Sequence, residues 1–237
     1  YAAADEARFD HDPVTGESLG LLIEESRTNL FLQSKDFSSS WGATFATKTL
    51  NSGVAPDGTT TACKLTPDGT FTGHYMNQTQ TVTTSSVSVY AKADGYDYAR
   101  VYSSFGWGHF DLVNSTVVQS AGGTASIEPM TNGWYRLKVE GFSTGSPVNY
   151  RLYSYDNPTG ANFSGDGTSG TLFSSAQLEN AAFSTSYIPT TSSAVTRAAD
   201  LASITGTNFS SWYNQSEGTV FAEAQAVDAG TSQQLMH

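Results

Sequence analysis

Seven side chains near the middle of the chain have the chemistry to bind a sugar. They are five aromatic residues and two arginines: Tyr90, Arg100, Tyr102, Trp107, Arg151, Tyr153 and Tyr155. Flat rings pack against the C–H faces of sugars while charged and amide groups bond the hydroxyls, and binding pockets generally combine apolar walls with few polar groups. Apart from Trp107, each lies opposite the more aliphatic side of its strand, which predicts that they line one concave sheet. Tyrosine is also favoured in strands for structural reasons alone, and that interpretation stays open.

The other reactive residue types form no recognisable catalytic arrangement. Gly141, Ser143 and Gly145 match the G-x-S-x-G pattern of a nucleophilic serine, but that motif needs a helix after the serine, and the strand-like SPVNYRLY follows here. The four histidines lack the spacing of a zinc site. A glycosidase needs two carboxyls about 5–10 Å apart, so we interpret the adjacent Glu24 and Glu25 as solvated charges or contacts with a neighbouring subunit. We therefore predict that the chain is not an enzyme.

Composition excludes several classes of protein. Charged residues are 14% of the chain, against roughly 25% in an average globular domain, and a hydroxyl- and amide-rich surface is typical of β-rich extracellular or virion proteins. The net charge of −11 repels phosphate backbones, which disfavours nucleic-acid binding. The sequence has no long apolar run, so we expect no membrane insertion. The single cysteine, Cys63, is expected to be a small buried residue.

The elements that position these side chains are predicted to be strands. Beyond Trp41, apolar and polar residues alternate in short runs separated by turn signals. In SVSVYAKA, for example, Val87, Val89 and Ala91 point to one side of the strand and the residues between them to the other. Nine or ten such strands without intervening helices indicate antiparallel pairing. The predicted fold class is all-β: an antiparallel β-sandwich (jelly roll) with an extended N-terminal strap and a C-terminal linker.

Two segments that enclose these strands resemble parts of phage tail-fibre and tailspike proteins. They are RFDHDPVTGESLGLLIEESRTNL at 8–30, and AQLENAAFSTSYIPT with AVTRAAD within 176–200. The interior resembles carbohydrate-binding modules with a galactose-binding-like jelly roll. The matching residues are Asn29-Leu30, Phe37-Ser38 and Trp41 at the opening, Ser88 to Ala93 in a middle strand, and Gly133 to Arg136 in a later one.

This resemblance covers about residues 7–200 and implies a homotrimeric virion appendage. Its partners would be other virion proteins and the polysaccharide of the host cell surface. Related jelly rolls often hold a structural calcium ion, for which Asp156, Asp166 and Glu179 are the candidate ligands. Calcium needs six to eight oxygens, and Asp166 is equally a turn residue. No other cofactor is expected.

The predicted organisation has four parts. Residues 1–28 form the strap, 29–189 the jelly-roll domain, 190–216 a linker, and 217–237 the first strand of a following, truncated domain. The segment SEGTVFAEAQAV in the last part resembles the opening strand of a concanavalin-A/laminin-G-like sandwich. We therefore expect the sequence to be a piece of a longer protein.

The predicted function is that of a non-enzymatic structural module of a phage tail or virion fibre, exposed on the outside of the particle. It would mediate subunit assembly and contact with host-surface glycans. Two alternatives stay open: a part of a tailspike depolymerase with catalysis elsewhere, and a carbohydrate-binding module of a secreted hydrolase.

Overall fold

Strands form nearly all the regular structure of the computed structural model, which describes residues 7–145, 147–219 and 221. In chain order they are β1 (Phe9–His11), β2 (Ser18–Leu21), β3 (Arg27–Asn29), β4 (Gly42–Thr44), β5 (Ala46–Gly53), β6 (Ala62–Pro67), β7 (Tyr75–Gln80), β8 (Thr84–Asp94), β9 (Tyr98–Tyr102), β10 (Trp107–Asp111), β11 (Thr116–Ala121), β12 (Thr124–Pro129), β13 (Tyr135–Ser143), β14 (Val148–Tyr155), β15 (Gly170–Glu179) and β16 (Val195–Arg197). A 3₁₀ turn (Thr131–Gly133) and one helical turn, α1 (Thr207–Ser210), complete the elements. No helix among the described residues has the length and apolar character needed to cross a bilayer.

Twelve of the strands build two six-stranded antiparallel sheets. Sheet I has the order β11-β10-β9-β14-β7-β4, and sheet II has the order β12-β13-β8-β15-β6-β5. The chain crosses repeatedly between the sheets, so neighbours within a sheet are often distant in sequence. The antiparallel β-sandwich predicted from the alternation is confirmed. Within the predicted strap, the described residues include the hairpin β1–β2. The predicted strand within 217–237 lies almost entirely outside the described residues.

The core lies between the two sheets and is built from alternate strand residues. Val87, Val89 and Ala91 of β8 are buried in it, as the alternation of that strand predicts. Sheet I contributes the corresponding inward residues, such as Val101 and Leu152. Because every second residue of a strand faces the opposite side, the residues between these positions in sheet I form its outer face.

Aromatic residues anchor the segment between β3 and β4 to this core. Phe31 and Phe37 each pack against Trp41 with ring centroids 4.9 Å apart. The indole Nε1 of Trp41 donates a hydrogen bond of 2.9 Å to the backbone oxygen of Leu32, so the ring is buried without an unsatisfied donor. Cys63 is fully buried, as expected.

The segments before and after the sandwich are joined to each other. Strand β3 pairs with β16, with Arg27 opposite Arg197 and Asn29 opposite Val195. Strand β16 thus lies within the stretch predicted as a linker, 190–216. Whether the boundaries at 28/29 and 189/190 separate folding units stays a prediction.

An ion cluster strengthens this junction. The Arg8 guanidinium donates to Asp200 Oδ1 at 3.0 Å and to Glu24 Oε2 at 2.8 Å. Arg197 Nη1 lies 3.1 Å from the same Glu24 oxygen, and the backbone N–H of Ser186 donates to Glu24 Oε1 at 2.8 Å. The interpretation of Glu24 as a solvated charge is therefore wrong, and its contact with a neighbouring subunit stays a prediction. Its partners lie in the same chain, but most are more than 160 positions away in sequence.

Candidate functional site

Six of the seven predicted sugar-binding residues lie on the outer face of sheet I. On β9, Arg100 and Tyr102 alternate with core residues, and on β14 Arg151 does the same. Tyr102 is directly opposite Trp107 of β10 on one side and Arg151 of β14 on the other. Arg100 is opposite Tyr153. The antiparallel register therefore assembles side chains from three strands into one surface.

Tyr90 is the exception, and its predicted place with the other six is wrong. It belongs to β8 in sheet II, on the opposite side of the sandwich. There its ring packs near Trp134, and the Arg136 guanidinium carbon lies 6.0 Å from its centroid. Alternation reveals which side of a strand a residue occupies, but it does not reveal to which sheet the strand belongs.

Two further tyrosines complete the surface and were not among the predicted site residues. Tyr75 of β7 lies opposite Tyr153 with ring centroids 4.9 Å apart, and Tyr98 of β9 lies opposite Tyr155. The alternation of HYMNQTQ, in which Met76 is buried in the core, was the signal that could have placed Tyr75. We call the resulting surface the aromatic face. It consists of Tyr75, Tyr98, Arg100, Tyr102, Trp107, Arg151, Tyr153 and Tyr155.

Each arginine of the aromatic face lies between two rings. The Arg151 guanidinium carbon is 4.6 Å from the centroid of Tyr75 and 5.7 Å from that of Tyr102. The Arg100 guanidinium carbon is 4.9 Å from the centroid of Trp107 and 5.1 Å from that of Tyr155. A cation within about 6 Å of an aromatic face is attracted by the ring quadrupole, so these contacts restrict the orientation of both guanidinium groups.

Tyr153 and Tyr155 form the floor of the aromatic face rather than its surface. They are 8% and 3% exposed and form a cluster with Phe163, which comes from the segment after β14. Their rings stack on each other with centroids 5.4 Å apart. The predicted orientation of both residues is therefore correct, but the segment that covers them was not predicted. Arg100, Tyr102, Trp107 and Arg151 remain half-buried and accessible.

A buried histidine connects the covering segment to the sheet. His109 of β10 is fully buried, stacks on Tyr98 with centroids 5.8 Å apart and meets Tyr155 edge-on at 5.4 Å. Its Nε2 lies 3.2 Å from the backbone oxygen of Asn157, which can only accept, so Nε2 carries the proton. Burial, and then the nearby positive charge of Arg100, lowers the pKa of His109 to about 4. The imidazole is therefore neutral near pH 7.

Burial also keeps the phenols of the floor protonated. It raises the pKa of Tyr155 to about 12 and raises that of Tyr153 as well. The hydroxyl of Tyr153 accepts a hydrogen bond of 3.2 Å from Arg151 Nη1. The aromatic face is thus neutral apart from its two arginines, and its polar groups are available for hydrogen bonding and ion pairing rather than for proton transfer.

The three candidate calcium ligands do not come together. Glu179 is fully buried in β15, where Thr185 and Gln177 donate hydrogen bonds of 2.8 and 2.9 Å to its carboxylate. Asp166 closes an exposed turn by accepting from the backbone of Thr168 and Ser169 at 2.8 and 2.6 Å. In the part of the chain that the structure describes, no group of three or more His, Cys, Asp or Glu side chains could hold a metal ion.

The serine of the G-x-S-x-G match lacks, within the described residues, the helix that a nucleophile elbow needs. Ser143 is the last residue of β13, and β14 follows at Val148 without an intervening helix in the described residues. Two open depressions of the surface also lie away from the aromatic face. One is lined mainly by residues 123–124, 138–141 and 182–184, the other by residues near Thr66 and Asp68.

Neither a protein-family model nor a curated protein sequence matches this chain. Among solved structures, it is similar to the CBM22-1–GH10 modules of the Clostridium thermocellum endo-1,4-beta-D-xylanase 10B, which were solved in complex with xylohexaose. The TM-score is 0.37 at 10% identity, over 70% of this chain and 30% of the xylanase chain. The present chain thus spans less than a third of the length of that protein. A likeness of this degree shows neither a shared family nor a shared ligand.

Proposed function

We propose that this β-sandwich is a non-enzymatic module that binds polysaccharide through the aromatic face. The observation that carries the proposal is the row Trp107, Tyr102 and Arg151, which lies across three adjacent strands. Neighbouring strands are about 4.8 Å apart, so the row extends over about 10 Å. Two accessible rings, Trp107 and Tyr102, lie side by side along it, and the fixed cation of Arg151 lies at one end.

This row has the two properties that sugar recognition requires. Tyr102 and Trp107 offer apolar ring surface for the C–H faces of a sugar, because both are half-buried on the outer side of the sheet. Asn149 and Asn77 lie beside Arg151 and add amide groups that bond hydroxyls. Because the row crosses the strands on an outer sheet face, it suits an extended chain of sugars better than an enclosed small molecule.

The surroundings of the aromatic face support binding rather than catalysis. Of the titratable groups beside the aromatic face, His109 has the chemistry that most resembles a catalytic base. It is fully buried, however, and donates to the backbone oxygen of Asn157. Asp111 lies beside it but accepts hydrogen bonds of 2.9 and 2.8 Å from the backbone of Val113 and Asn114. These groups are engaged in holding turns of the protein, which supports the proposal that the module has no reaction centre of its own.

A glycan array with the intact protein tests this proposal, with Tyr102→Ala as the decisive variant. We expect the variant to lose at least about tenfold in affinity, because ring contact is removed from the centre of the row. Trp212→Ala removes an exposed tryptophan outside the aromatic face and is the matched control. Binding by the wild type that Tyr102→Ala leaves unchanged would contradict the proposed site, and no binding to any glycan would contradict the function.

We also propose that the module assembles as a homotrimer in a phage tail or virion fibre, where it faces outward toward host polysaccharide. One support is the resemblance of residues 8–30 and 176–200 to virion proteins. The other is the hairpin β1–β2, on which Phe9 lies opposite Leu21, two residues after Leu19. These side chains are 57%, 48% and 60% exposed. Clustered exposed apolar residues often mark surfaces that another chain covers.

Light scattering on the full-length polypeptide tests the assembly. We expect a trimer that dissociates when Phe9 and Leu21 are both replaced by serine. Leu201→Ser, at a residue 94% exposed, is the control that changes apolar surface elsewhere. A monodisperse monomer of the wild type would overturn this half of the proposal. Loss of viscosity when the full-length protein is incubated with polysaccharide would instead favour the depolymerase alternative.

A further inference from the structure

The two arginines of the aromatic face stand apart from most other cations of the protein. The chain has 22 acidic and 11 basic residues, so carboxylates are abundant. Arg8, Arg27 and Arg197, among others, form ion pairs with them. Within the described ranges, neither Arg100 nor Arg151 has a carboxylate oxygen within 4.0 Å. Two unpaired charges therefore lie together on one surface of an acidic molecule.

Each of these guanidinium groups keeps a free, accessible donor. Arg151 uses Nε for Asn149 at 2.8 Å and Nη1 for Tyr153 at 3.2 Å, while its Nη2 has no acceptor among the described residues and is not buried. Arg100 Nη2 donates to the backbone oxygen of Thr159 at 3.4 Å, and Nη1 is likewise unpartnered and not buried. In addition, Arg100 Nε is buried without an acceptor. The buried Nε is closed off from the surface, so the accessible Nη groups are the donors that a ligand can reach.

The rings around the arginines hold these donors in place before a ligand arrives. Arg151 lies between Tyr75 and Tyr102, and Arg100 lies between Trp107 and Tyr155. A guanidinium fixed in this way loses little conformational freedom on binding, and its planar fork matches a carboxylate, which accepts two parallel hydrogen bonds. A neutral hydroxyl cannot form the same charge-assisted, two-pronged contact.

We infer that the ligand of the aromatic face is an acidic polysaccharide whose sugar carboxylates bind Arg151 and Arg100 while sugar rings pack on Tyr102 and Trp107. This inference rests on the proposed function and specifies the class of its ligand. The net charge of −11 opposes non-specific adsorption of an acidic polymer. At physiological ionic strength this repulsion is screened beyond about 8 Å, so the local contact with the arginines decides whether the polymer binds.

The direct test compares each acidic polysaccharide with its own neutral derivative. Polygalacturonate, alginate and hyaluronan are each measured beside the carboxyl-reduced form of the same polymer, using the wild-type chain and isothermal titration calorimetry. We expect at least one acidic polymer to bind at least tenfold more tightly than its reduced form. Equal or tighter binding of reduced forms or of neutral glycans would overturn the inference and leave the proposed function intact. Absence of binding to every acidic and neutral glycan would overturn both.

A pair of variants with the same change in net charge separates the site from general electrostatics. Arg151→Gln removes the cation from the aromatic face, whereas Lys92→Gln removes one from sheet II, on the opposite side of the sandwich. We expect Arg151→Gln to weaken binding of the acidic polymer at least tenfold and to leave binding of the reduced form within twofold. Lys92→Gln should change neither. An equal effect of the two variants would contradict a specific carboxylate contact.

Arg151→Lys tests the planar fork rather than the charge. Lysine keeps the positive charge but donates from a single point, so we expect an affinity between those of the wild type and Arg151→Gln. Full wild-type affinity of Arg151→Lys would contradict the two-pronged contact. Thermal unfolding of each variant shows whether the fold is retained. If Arg151→Gln does not fold, the comparison of acidic and reduced polymers on the wild type still decides the inference.

Discussion

The side-chain amide of Asn29 donates a hydrogen bond of 2.8 Å to the backbone oxygen of Ile188, 159 positions later in the chain. The same amide donates to the backbone oxygen of Ala176 at 3.1 Å. Its oxygen accepts from the backbone N–H groups of Phe31 and Leu178, both at 3.1 Å. All four hydrogen bonds of this side-chain amide have backbone groups as partners. Asn29 is fully buried. One side chain therefore joins the leading segment to β15 and to the segment that follows it.

Replacing Asn29 by alanine is expected to destabilise the protein by about 3 kcal/mol, because several buried backbone groups lose their partner. For a chain of this size that corresponds to a fall in melting temperature of roughly 6–12 °C. Chemical denaturation monitored by tryptophan fluorescence measures the change.

Asn114→Ala is the control for this prediction. Asn114 is exposed in the β10–β11 turn and its amide makes one hydrogen bond, to Asp111 at 2.9 Å. We expect a change within about 0.5 kcal/mol there. Similar losses in the two variants would show that Asn29 does not join the two segments in solution.

The strands of the sandwich could be predicted from sequence because alternation depends on near neighbours. The pattern at Val87, Val89 and Ala91 correctly identified the inward side of β8. The pairing of strands depends on contacts between distant parts of the chain, which a local pattern does not encode. For this reason Tyr90 was assigned to the wrong surface, and the ion pairs of Glu24 with Arg8 and Arg197 were missed.

The candidate site was only partly predictable for a similar reason. The orientations of Arg100, Tyr102 and Arg151 followed from strand alternation and are confirmed. The burial of Tyr155 depends on the path of the segment that brings Phe163 over it, and no motif marks that path. The absence of acidic partners for the arginines likewise becomes visible only when the positions of all the described carboxylates are known.

Protonation of His109 is expected to destabilise the fold between pH 6.5 and pH 4. Burial lowers its pKa from 6.5 to about 4 in the folded state. As the pH falls, the unfolded chain therefore binds the proton first. The contribution of neutral His109 to the free energy of unfolding is present above pH 6.5 and is lost as the pH falls toward 4. The loss attributable to this group is at most about 3 kcal/mol. Urea denaturation at a series of pH values measures it.

His109→Gln identifies the group responsible, because glutamine does not titrate and can still donate toward Asn157. Between pH 6.5 and pH 4, we expect the wild type to lose up to about 3 kcal/mol more stability than this variant. His11→Gln, at an exposed histidine of the hairpin, provides the comparison. An unchanged difference across the pH range would show that His109 does not control the acid response.

The junction between Arg8 and Asp200 should also respond to acid, but at lower pH. The hydrogen bond from Arg8 is the main cause that lowers the pKa of Asp200. Its contribution to stability is present above the unfolded pKa of about 3.9 and is lost as the pH falls through the lower, folded pKa. Asp200→Asn should therefore reduce the melting temperature at pH 7 by more than it does at pH 3.

Asp57→Asn breaks the exposed pair of Asp57 with Lys35, which is 2.7 Å long, and is the control for the junction. Exposed single pairs contribute about 0–1 kcal/mol, so we expect a smaller effect at pH 7. If Asp200→Asn lowers the melting temperature equally at pH 7 and pH 3, the ion cluster does not stabilise the junction.

Gly160→Ala should separate binding from stability. Gly160 has a φ of 63°, and a Cβ there would collide with the guanidinium of Arg100. The end of that side chain can move, so the variant displaces Arg100 from its place between Trp107 and Tyr155.

Gly58, with a φ of 80° and open space around it, provides the matched substitution. Each alanine should cost about 1–2 kcal/mol of stability, because both positions need a left-handed backbone. Only Gly160→Ala should also weaken binding of an acidic polysaccharide, by about tenfold in titration calorimetry. Equal affinities of the two variants would show that the position of Arg100 does not matter for the ligand.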